Sequence, residues 1–149
     1  MPYFTRQVAP NGSLLVIALI GVSQARRNAL VSAQQPVPNV VQVQALIDTG
    51  ASCVCVDPSV LKQLNLSPTG STAVNSPTTG SQPINVSQYD VSLAIHAIAG
   101  HAPLVFQTVP AIEAELLAAQ FFHVIIGRDI LQWCLLTYDG RARMFSLAY

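Results

Sequence analysis

Short apolar segments, separated by residues that favour turns, recur along the chain and limit the folds open to it. The segments at residues 14–22, 40–47 and 104–109 are rich in Val, Ile and Leu, and none is longer than nine residues. The stretches between them hold Gly, Pro, Ser, Thr and Asn, which end strands and form turns. Residues 84–98 add an alternation of apolar and polar side chains, which is typical of a strand with one buried face. We therefore predict an all-β fold.

The length of the chain, 149 residues, indicates a single domain that spans residues 1–149. One or two short helices are expected within it. Residues 57–64 open on an Asp-Pro pair that suits a helix start, and residues 110–120 consist largely of good helix formers. Residues 23–39 are predicted to form a polar connection that ends in prolines.

Charged side chains are scarce and balanced, which excludes several classes of protein. They make up 9% of the sequence, with 7 basic and 7 acidic residues, while 51% of the residues are hydrophobic. So little charge argues against a disordered tail, and the absence of a basic excess argues against a nucleic-acid partner. A surface this poor in charge indicates apolar area that a partner covers, commonly a second copy of the chain.

The apolar stretch at residues 14–22 has two interpretations. It is too short to span a bilayer, which needs about 20 residues. Because Ser23-Gln24-Ala25 resembles a cleavage site, residues 1–25 are a candidate signal peptide and export is the alternative location. A single Arg6 in this leader and a turn-like Pro-Asn-Gly sequence favour a buried first strand instead, and with it a cytoplasmic location.

Three cysteines, Cys53, Cys55 and Cys134, form no recognisable disulfide framework. Cys53 and Cys55 are predicted to lie on one face of a strand as reduced thiols, which weakly favours the cytoplasm. Neither the cysteines nor the three histidines show the spacings of a metal site, so no metal and no cofactor are expected.

One carboxylate stands where a carboxylate is costly. Asp48 directly follows an apolar strand and begins the sequence Asp48-Thr49-Gly50-Ala51. Burial of a charge needs compensation, and a second carboxylate that shares a proton with it is one solution. Gly50 would let a substrate backbone approach closely. The alternative is a turn that merely ends the strand.

A long uncharged segment at residues 67–83 is rich in Ser, Thr, Pro and Gly. We predict a β-hairpin at approximately residues 67–91 with its tip near residues 76–80, since loops of this length are uncommon without a function. A plain surface loop is the other interpretation.

A second motif, Gly127-Arg128-Asp129, follows an apolar pair of isoleucines 79 residues after Asp48 and precedes Ile130-Leu131. Together with Asp48-Thr49-Gly50-Ala51 it resembles the two motifs of the retropepsin-like aspartic proteases, the family of retroviral proteases and their cellular and bacterial relatives. The resemblance covers roughly residues 14–149. It implies the acid-protease fold, a closed β-barrel-like structure.

The resemblance also implies a function. With one Asp-Thr-Gly in the chain, Asp48 of each subunit would face its twin across the two-fold axis of a homodimer, and the pair would activate a water to hydrolyse a peptide or protein substrate. Substrate contacts are implied for Thr49, Gly50 and Ala51 and, in a flap formed by the hairpin, for Ser76, Thr78, Thr79 and Gly80. Gly127, Arg128 and Asp129 would form the structural and dimer motif.

The chain departs from the retroviral pattern at two places. Ser52 stands where retroviral enzymes have an acidic partner for the arginine, so Arg128 must pair with Asp57, with backbone carbonyls or with the other subunit. The predicted flap lacks a glycine-rich tip. Both features resemble a bacterial or cellular relative more than a virus. The alternative function is a catalytically inactive dimeric module of the same fold that binds peptides or a partner protein.

Overall fold

The computed structural model describes residues 1–75, 80–96 and 101–149, and it is built mainly of β-strands. The strands are β1 (Tyr3–Gln7), β2 (Leu15–Val22), β3 (Val41–Ile47), β4 (Val54–Val56), β5 (Gly70–Val74), β6 (Ile84–Ile95), β7 (Leu104–Glu113), β8 (Val124–Ile126), β9 (Leu135–Asp139) and β10 (Met144–Ala148). The helices are α1 (Gln24–Ser32), α2 (Pro58–Gln63), α3 (Leu117–Gln120) and α4 (Arg128–Leu131). Across these ranges no helix has the length and apolarity to cross a membrane.

Six strands close into a barrel. The hydrogen-bonded order is β2, β3, β8, β4, β7 and β6, and β6 pairs again with β2. Two neighbouring pairs are parallel, β3 with β8 and β4 with β7, while the other pairs around the barrel are antiparallel. Closure leaves no unpaired edge within the ring. The prediction of an all-β, closed-barrel fold is confirmed.

The barrel is filled by side chains that alternate with outward-facing ones along each strand, as the period of two requires. In β2, for example, Val16, Ala18 and Ile20 are buried while the residues between them are partly exposed. The fully buried branched side chains inside the molecule include Ile20, Val54, Val56, Val91, Leu93, Ile95, Val124 and Ile126. Removal of this apolar surface from water is the main force that stabilises the fold.

A second, three-stranded sheet has the order β1, β10, β9. The hairpin from β9 to β10 turns at Asp139-Gly140, as the sequence predicts. The sequence does not predict strand β1, because this segment is short and largely polar. Phe4 on β1 and Phe145 on β10 are nevertheless buried, and both belong to the same hydrophobic cluster as the barrel interior.

The described residues hold four short helices rather than one or two, and two segments differ from prediction. Helix α1 lies within residues 23–39, where Ser23 caps it by accepting a hydrogen bond from the Arg26 N–H. Only Leu30 of this helix is buried, so the apolar periodicity was too weak to reveal it. Residues 110–113 continue β7 instead of starting a helix, because they pair with β4 on one side and β6 on the other.

Candidate active site

Asp48 lies immediately after β3, at the end of the parallel pair that β3 forms with β8. Its N–H donates to the carbonyl of Ile126 at 3.1 Å, which extends the pairing by one residue. The chain then turns sharply: the Gly50 N–H donates to Asp48 Oδ1 at 2.7 Å, and the Ala51 N–H donates to the Asp48 carbonyl at 3.2 Å. The Asp48 side chain is half-buried, whereas Thr49 and Gly50 are exposed. The turn therefore holds the carboxylate at the opening of the barrel.

Arg128 ties the second motif to this turn. Its N–H donates to the Ala51 carbonyl at 3.0 Å, and its Nη1 donates to the Thr49 carbonyl at 2.9 Å. Of the partners left open by the sequence, the described contacts of Arg128 are with backbone carbonyls and not with Asp57. The guanidinium thus braces the loop that carries Asp48, without a carboxylate at position 52.

Asp129 joins the same motif to the start of β4. Its carboxylate accepts a hydrogen bond from the Val54 N–H at 2.9 Å and another from the Ile130 N–H at 2.9 Å. Burial raises the pKa of the Asp129 carboxyl above its usual value, although these two backbone hydrogen bonds act in the opposite direction. Asp129 therefore connects helix α4 to strand β4.

Gly127 lies directly against the backbone that precedes β4. A Cβ atom at this position would fall 2.6 Å from the carbonyl oxygen of Cys53 and 2.7 Å from its nitrogen. Those distances are far below van der Waals contact, so this position accepts only glycine. The predicted residues Gly127, Arg128 and Asp129 all lie in or against the loop between Asp48 and β4.

A cavity of about 660 Å³ opens beside Asp48. One wall is the chain from the Asp48 turn into β4, and another comes from β5. The lining residues are Asp48, Gly50, Ala51, Ser52, Cys53, Cys55, Thr72, Ala73, Val74, Asn75 and Ile112. A cavity of this volume can hold a ligand as large as several amino-acid side chains. Asp48, Gly50 and Ala51 are the predicted site residues that line it, and Thr49 is not among them.

The other wall belongs to the predicted hairpin. Strand β5 pairs with the first part of β6, from Gly70 opposite Gln88 to Val74 opposite Ile84. Of the predicted flap contacts, Ser76, Thr78 and Thr79 lie outside the described residues. Gly80 is described: it is exposed, has a φ of 66°, and does not line the cavity.

Two cysteines line the cavity and were not predicted as site residues. Cys53 and Cys55 alternate with the buried Val54 and Val56, so both thiols face away from the barrel interior. This period of two was visible in the sequence and could have placed them beside Asp48. Both are free and half-buried. In residues 1–75, 80–96 and 101–149, no three His, Cys, Asp or Glu side chains gather as a metal ion would need.

Asp57 is a structural carboxylate at the N-terminus of α2, as predicted from its place before Pro58. Its Oδ1 accepts from the Ser59 N–H at 2.9 Å, and its Oδ2 accepts from the N–H groups of Leu116 and Leu117, each at 2.9 Å. Burial alone would raise the pKa of Asp57, but these hydrogen bonds outweigh it and lower the pKa to about 2. Asp57 therefore fastens α2 to the segment before α3.

Replacement of Asp57 by Asn should lower the free energy of unfolding by about 2–3 kcal/mol at neutral pH, because an amide NH₂ cannot accept the Leu116 and Leu117 donors. The depressed pKa contributes stability above about pH 4, and this contribution, about 2 kcal/mol, is lost as the pH falls toward 2. The difference between wild type and variant should therefore shrink between about pH 5 and pH 2. Urea unfolding at fixed protein concentration measures it.

Asp139→Asn is the matched control for that experiment. The Asp139 carboxylate also accepts two backbone hydrogen bonds, from Arg141 and Ala142, but it is exposed. We expect a loss below about 1 kcal/mol for this variant. Equal losses for the two variants, or a loss at position 57 that does not change with pH, would contradict the role assigned to Asp57.

Comparison with known proteins gives one family and one fold. A family model described as aspartyl protease matches residues 37–130. The structure is similar to that of a retropepsin-like aspartic protease from Rickettsia conorii, with a TM-score of 0.60 and 13% identity over 99% of this chain and 90% of that chain. This likeness shows a retropepsin-like fold. No curated protein matches the chain by sequence.

Two further solved structures are more distantly similar. The EIAV protease complexed with the inhibitor HBY-793 has a TM-score of 0.42 and 18% identity, over 80% of this chain and 86% of that chain. The retroviral protease-like domain of Ddi1 from Leishmania major has a TM-score of 0.38 and 15% identity, over 85% of this chain and 82% of that chain.

Proposed function

Because the chain belongs to the aspartyl protease family, whose model matches residues 37–130, we propose that it is an aspartic endopeptidase that works as a homodimer. The observation that carries this proposal is the position of Asp48. Its half-buried carboxylate lines a cavity large enough for several residues of a peptide, at the end of a barrel strand where the backbone fixes its direction.

The second carboxylate of the proposed dyad comes from a second copy of the chain. Asp-Thr-Gly occurs once in the sequence, and Asp48 is the only carboxylate among the described residues that line the cavity. A two-fold axis beside this turn would bring Asp48 against its twin. Two carboxylates so close share one proton, which makes one a base and the other an acid.

The proposed reaction needs only this pair and a water molecule. The ionised carboxylate takes a proton from the water as the water oxygen attacks the carbonyl carbon of the scissile peptide. The protonated carboxyl donates its proton to the carbonyl oxygen, which gives a tetrahedral intermediate. On collapse, the first carboxyl gives the proton from water to the leaving nitrogen and the second takes one back from a hydroxyl of the intermediate. The amine and acid products leave, and the pair again shares one proton. The Gly50 N–H and the Arg128 contacts keep the carboxylate in place during these steps.

The hairpin of β5 and β6 is proposed to act as the flap. Thr72, Ala73 and Val74 of β5 line the same cavity as Asp48. The proposed contacts to the substrate backbone are Thr49, Gly50 and Ala51, together with Ser76, Thr78, Thr79 and Gly80 of the predicted flap. Closure over the peptide would exclude water from the reacting bond.

A cytoplasmic location remains a proposal. It is supported by the three free cysteines, since thiols persist in a reducing compartment. The position of residues 15–22 also supports it, because β2 pairs with both β3 and β6 and its removal would open the barrel.

The dilution dependence of activity tests the proposed function. A site shared between two subunits should lose specific activity on dilution below the dimer dissociation constant, so that the rate of cleavage rises with about the square of protein concentration. Cleavage of an unfolded protein substrate at weakly acidic pH, with sedimentation at the same concentrations, measures this. Activity that stays proportional to concentration in a monomeric sample would contradict the shared site. Dimers that cleave nothing would indicate the inactive binding module.

A further inference from the structure

The Cys53 side chain has a defined direction because its backbone is clamped. Gly127 packs against the Cys53 nitrogen and carbonyl, and the following N–H, that of Val54, donates to Asp129 at 2.9 Å. With Val54 and Val56 buried, the Cys53 and Cys55 side chains both point into the cavity that Asp48 lines. Cys53 is half-buried, so a small reagent in the cavity can reach its sulfur.

The two thiols differ in their protonation. The neighbouring Cys55 side chain is the main influence that lowers the pKa of the Cys53 thiol to about 7, against the opposing effects of burial and the Asp129 charge. The same interaction, with burial, raises the pKa of Cys55 far above its usual value. The cavity residues of β5, Thr72 to Val74, and the adjoining Asn75 carry no charge. Cys55 Sγ donates to the Cys53 carbonyl at 3.7 Å, so its S–H is already engaged with the backbone. Cys53, whose thiol has the lower pKa of the two, is therefore the nucleophile at neutral pH.

We propose that Cys53 is a site of reversible S-thiolation, and that a low-molecular-weight disulfide attached there occupies the substrate cavity and switches the enzyme off. The Cys53 thiolate attacks one sulfur of the disulfide, a new sulfur–sulfur bond forms, and the old one breaks. The disulfide oxidises Cys53 while its other half is reduced and leaves as a thiolate. A free thiol reverses the exchange by the same route.

The expected inhibition rests on the proposed protease function, whereas the modification itself does not. An adduct of tripeptide size on Cys53 would lie inside a cavity of about 660 Å³, against the wall that carries Asp48. A peptide substrate and the adduct could not fill the same space. The cavity would be open to substrate only while Cys53 is reduced.

The test begins with oxidised glutathione, the probe disulfide, at pH 7 with the dimeric wild-type protein. Intact mass and peptide mapping should show one glutathione on Cys53, added at least about ten times faster than on Cys134, because burial raises the pKa of Cys134. Cleavage activity should fall in proportion to the Cys53 adduct and return when a reducing thiol is added. Reaction of Cys134 first, or an internal disulfide without an adduct, would overturn the proposal.

Two variants separate the nucleophile from its neighbour. Cys53→Ser should take up no glutathione at this position, and its activity should be the same in oxidised and in reduced buffer. Cys55→Ala removes the neighbouring thiol that lowers the Cys53 pKa, and the smaller thiolate fraction, partly offset by higher intrinsic nucleophilicity, should slow modification of Cys53 by about 5- to 10-fold at pH 7. Cys134→Ser is the matched control and should leave the rate at Cys53 unchanged. An unchanged rate in Cys55→Ala would overturn the assigned pairing.

Mass and activity together distinguish the two proposals. The adduct could form on Cys53 of a dimer that cleaves no substrate even when reduced. That result would support the modification site and count against the protease function. An adduct that forms fully while activity persists would overturn the switch.

Discussion

Asp48→Asn should lower the rate of peptide-bond cleavage by about 1,000-fold or more, because the amide can neither take a proton from water nor share one with its twin. The substitution is nearly isosteric, and the Asn carbonyl can still accept the Gly50 N–H that Asp48 Oδ1 accepts at 2.7 Å. Fold and dimerisation should therefore be retained. Cleavage of an unfolded protein substrate from acidic to neutral conditions, about pH 3–8, measures the loss.

Asp90→Asn is the matched control for this substitution. Asp90 is half-buried on β6 and does not line the Asp48 cavity, so its replacement should leave the cleavage rate within about twofold of wild type. Undiminished cleavage by Asp48→Asn would rule out this carboxylate as the catalytic group. Equal loss in both variants would point to a general effect on the fold.

A mixture of wild type and Asp48→Asn tests whether two subunits share the site. With a ninefold excess of variant and free exchange of subunits, about one wild-type subunit in ten has a wild-type partner, so activity per wild-type subunit should fall roughly tenfold. A site contained within one chain predicts no fall. This measurement separates the dimer dyad from every single-chain mechanism.

Gly127→Ala should destabilise the fold by at least about 3 kcal/mol, which is enough to leave much of a marginally stable domain unfolded. The added methyl group would stand 2.6–2.8 Å from three backbone atoms of Cys53, and backbone cannot rotate away as a side chain can. The backbone segments at Cys53 and Gly127 cannot move apart to make room without breaking the Val54–Asp129 and Ala51–Arg128 hydrogen bonds. Thermal and urea unfolding at fixed protein concentration measure the effect.

Gly70→Ala is the control for that substitution. Gly70 lies in β5, its φ is not positive, and a Cβ atom there would meet nothing within 4 Å. We expect a change in unfolding free energy within about 0.5 kcal/mol. If Gly127→Ala is as stable as Gly70→Ala, the backbone at Cys53 can move aside at little cost. The conclusion that only glycine is accepted at position 127 would then be wrong.

Several features were predictable because they depend on local pattern. Strands β2 and β3 follow from apolar segments with strand-forming residues, and α2 follows from Asp57 and Pro58 at its start. The sequence does not predict helix α1, because a helix with one buried residue leaves little periodicity to detect. Residues 110–113 form a strand and not the predicted helix, because they lie between two strands and pairing with both outweighs a small difference in propensity.

The sequence by itself determined the all-β class and the family, and it singled out Asp48 as the proposed catalytic carboxylate, since each is written in short motifs or in a period of two. Only the tertiary structure decided what those residues touch. In the structure Arg128 donates to the Thr49 carbonyl, Gly127 packs against the Cys53 backbone, and two thiols line the cavity beside Asp48. Such contacts join residues far apart in the chain, and their distances depend on how the closed barrel packs, which no local pattern encodes.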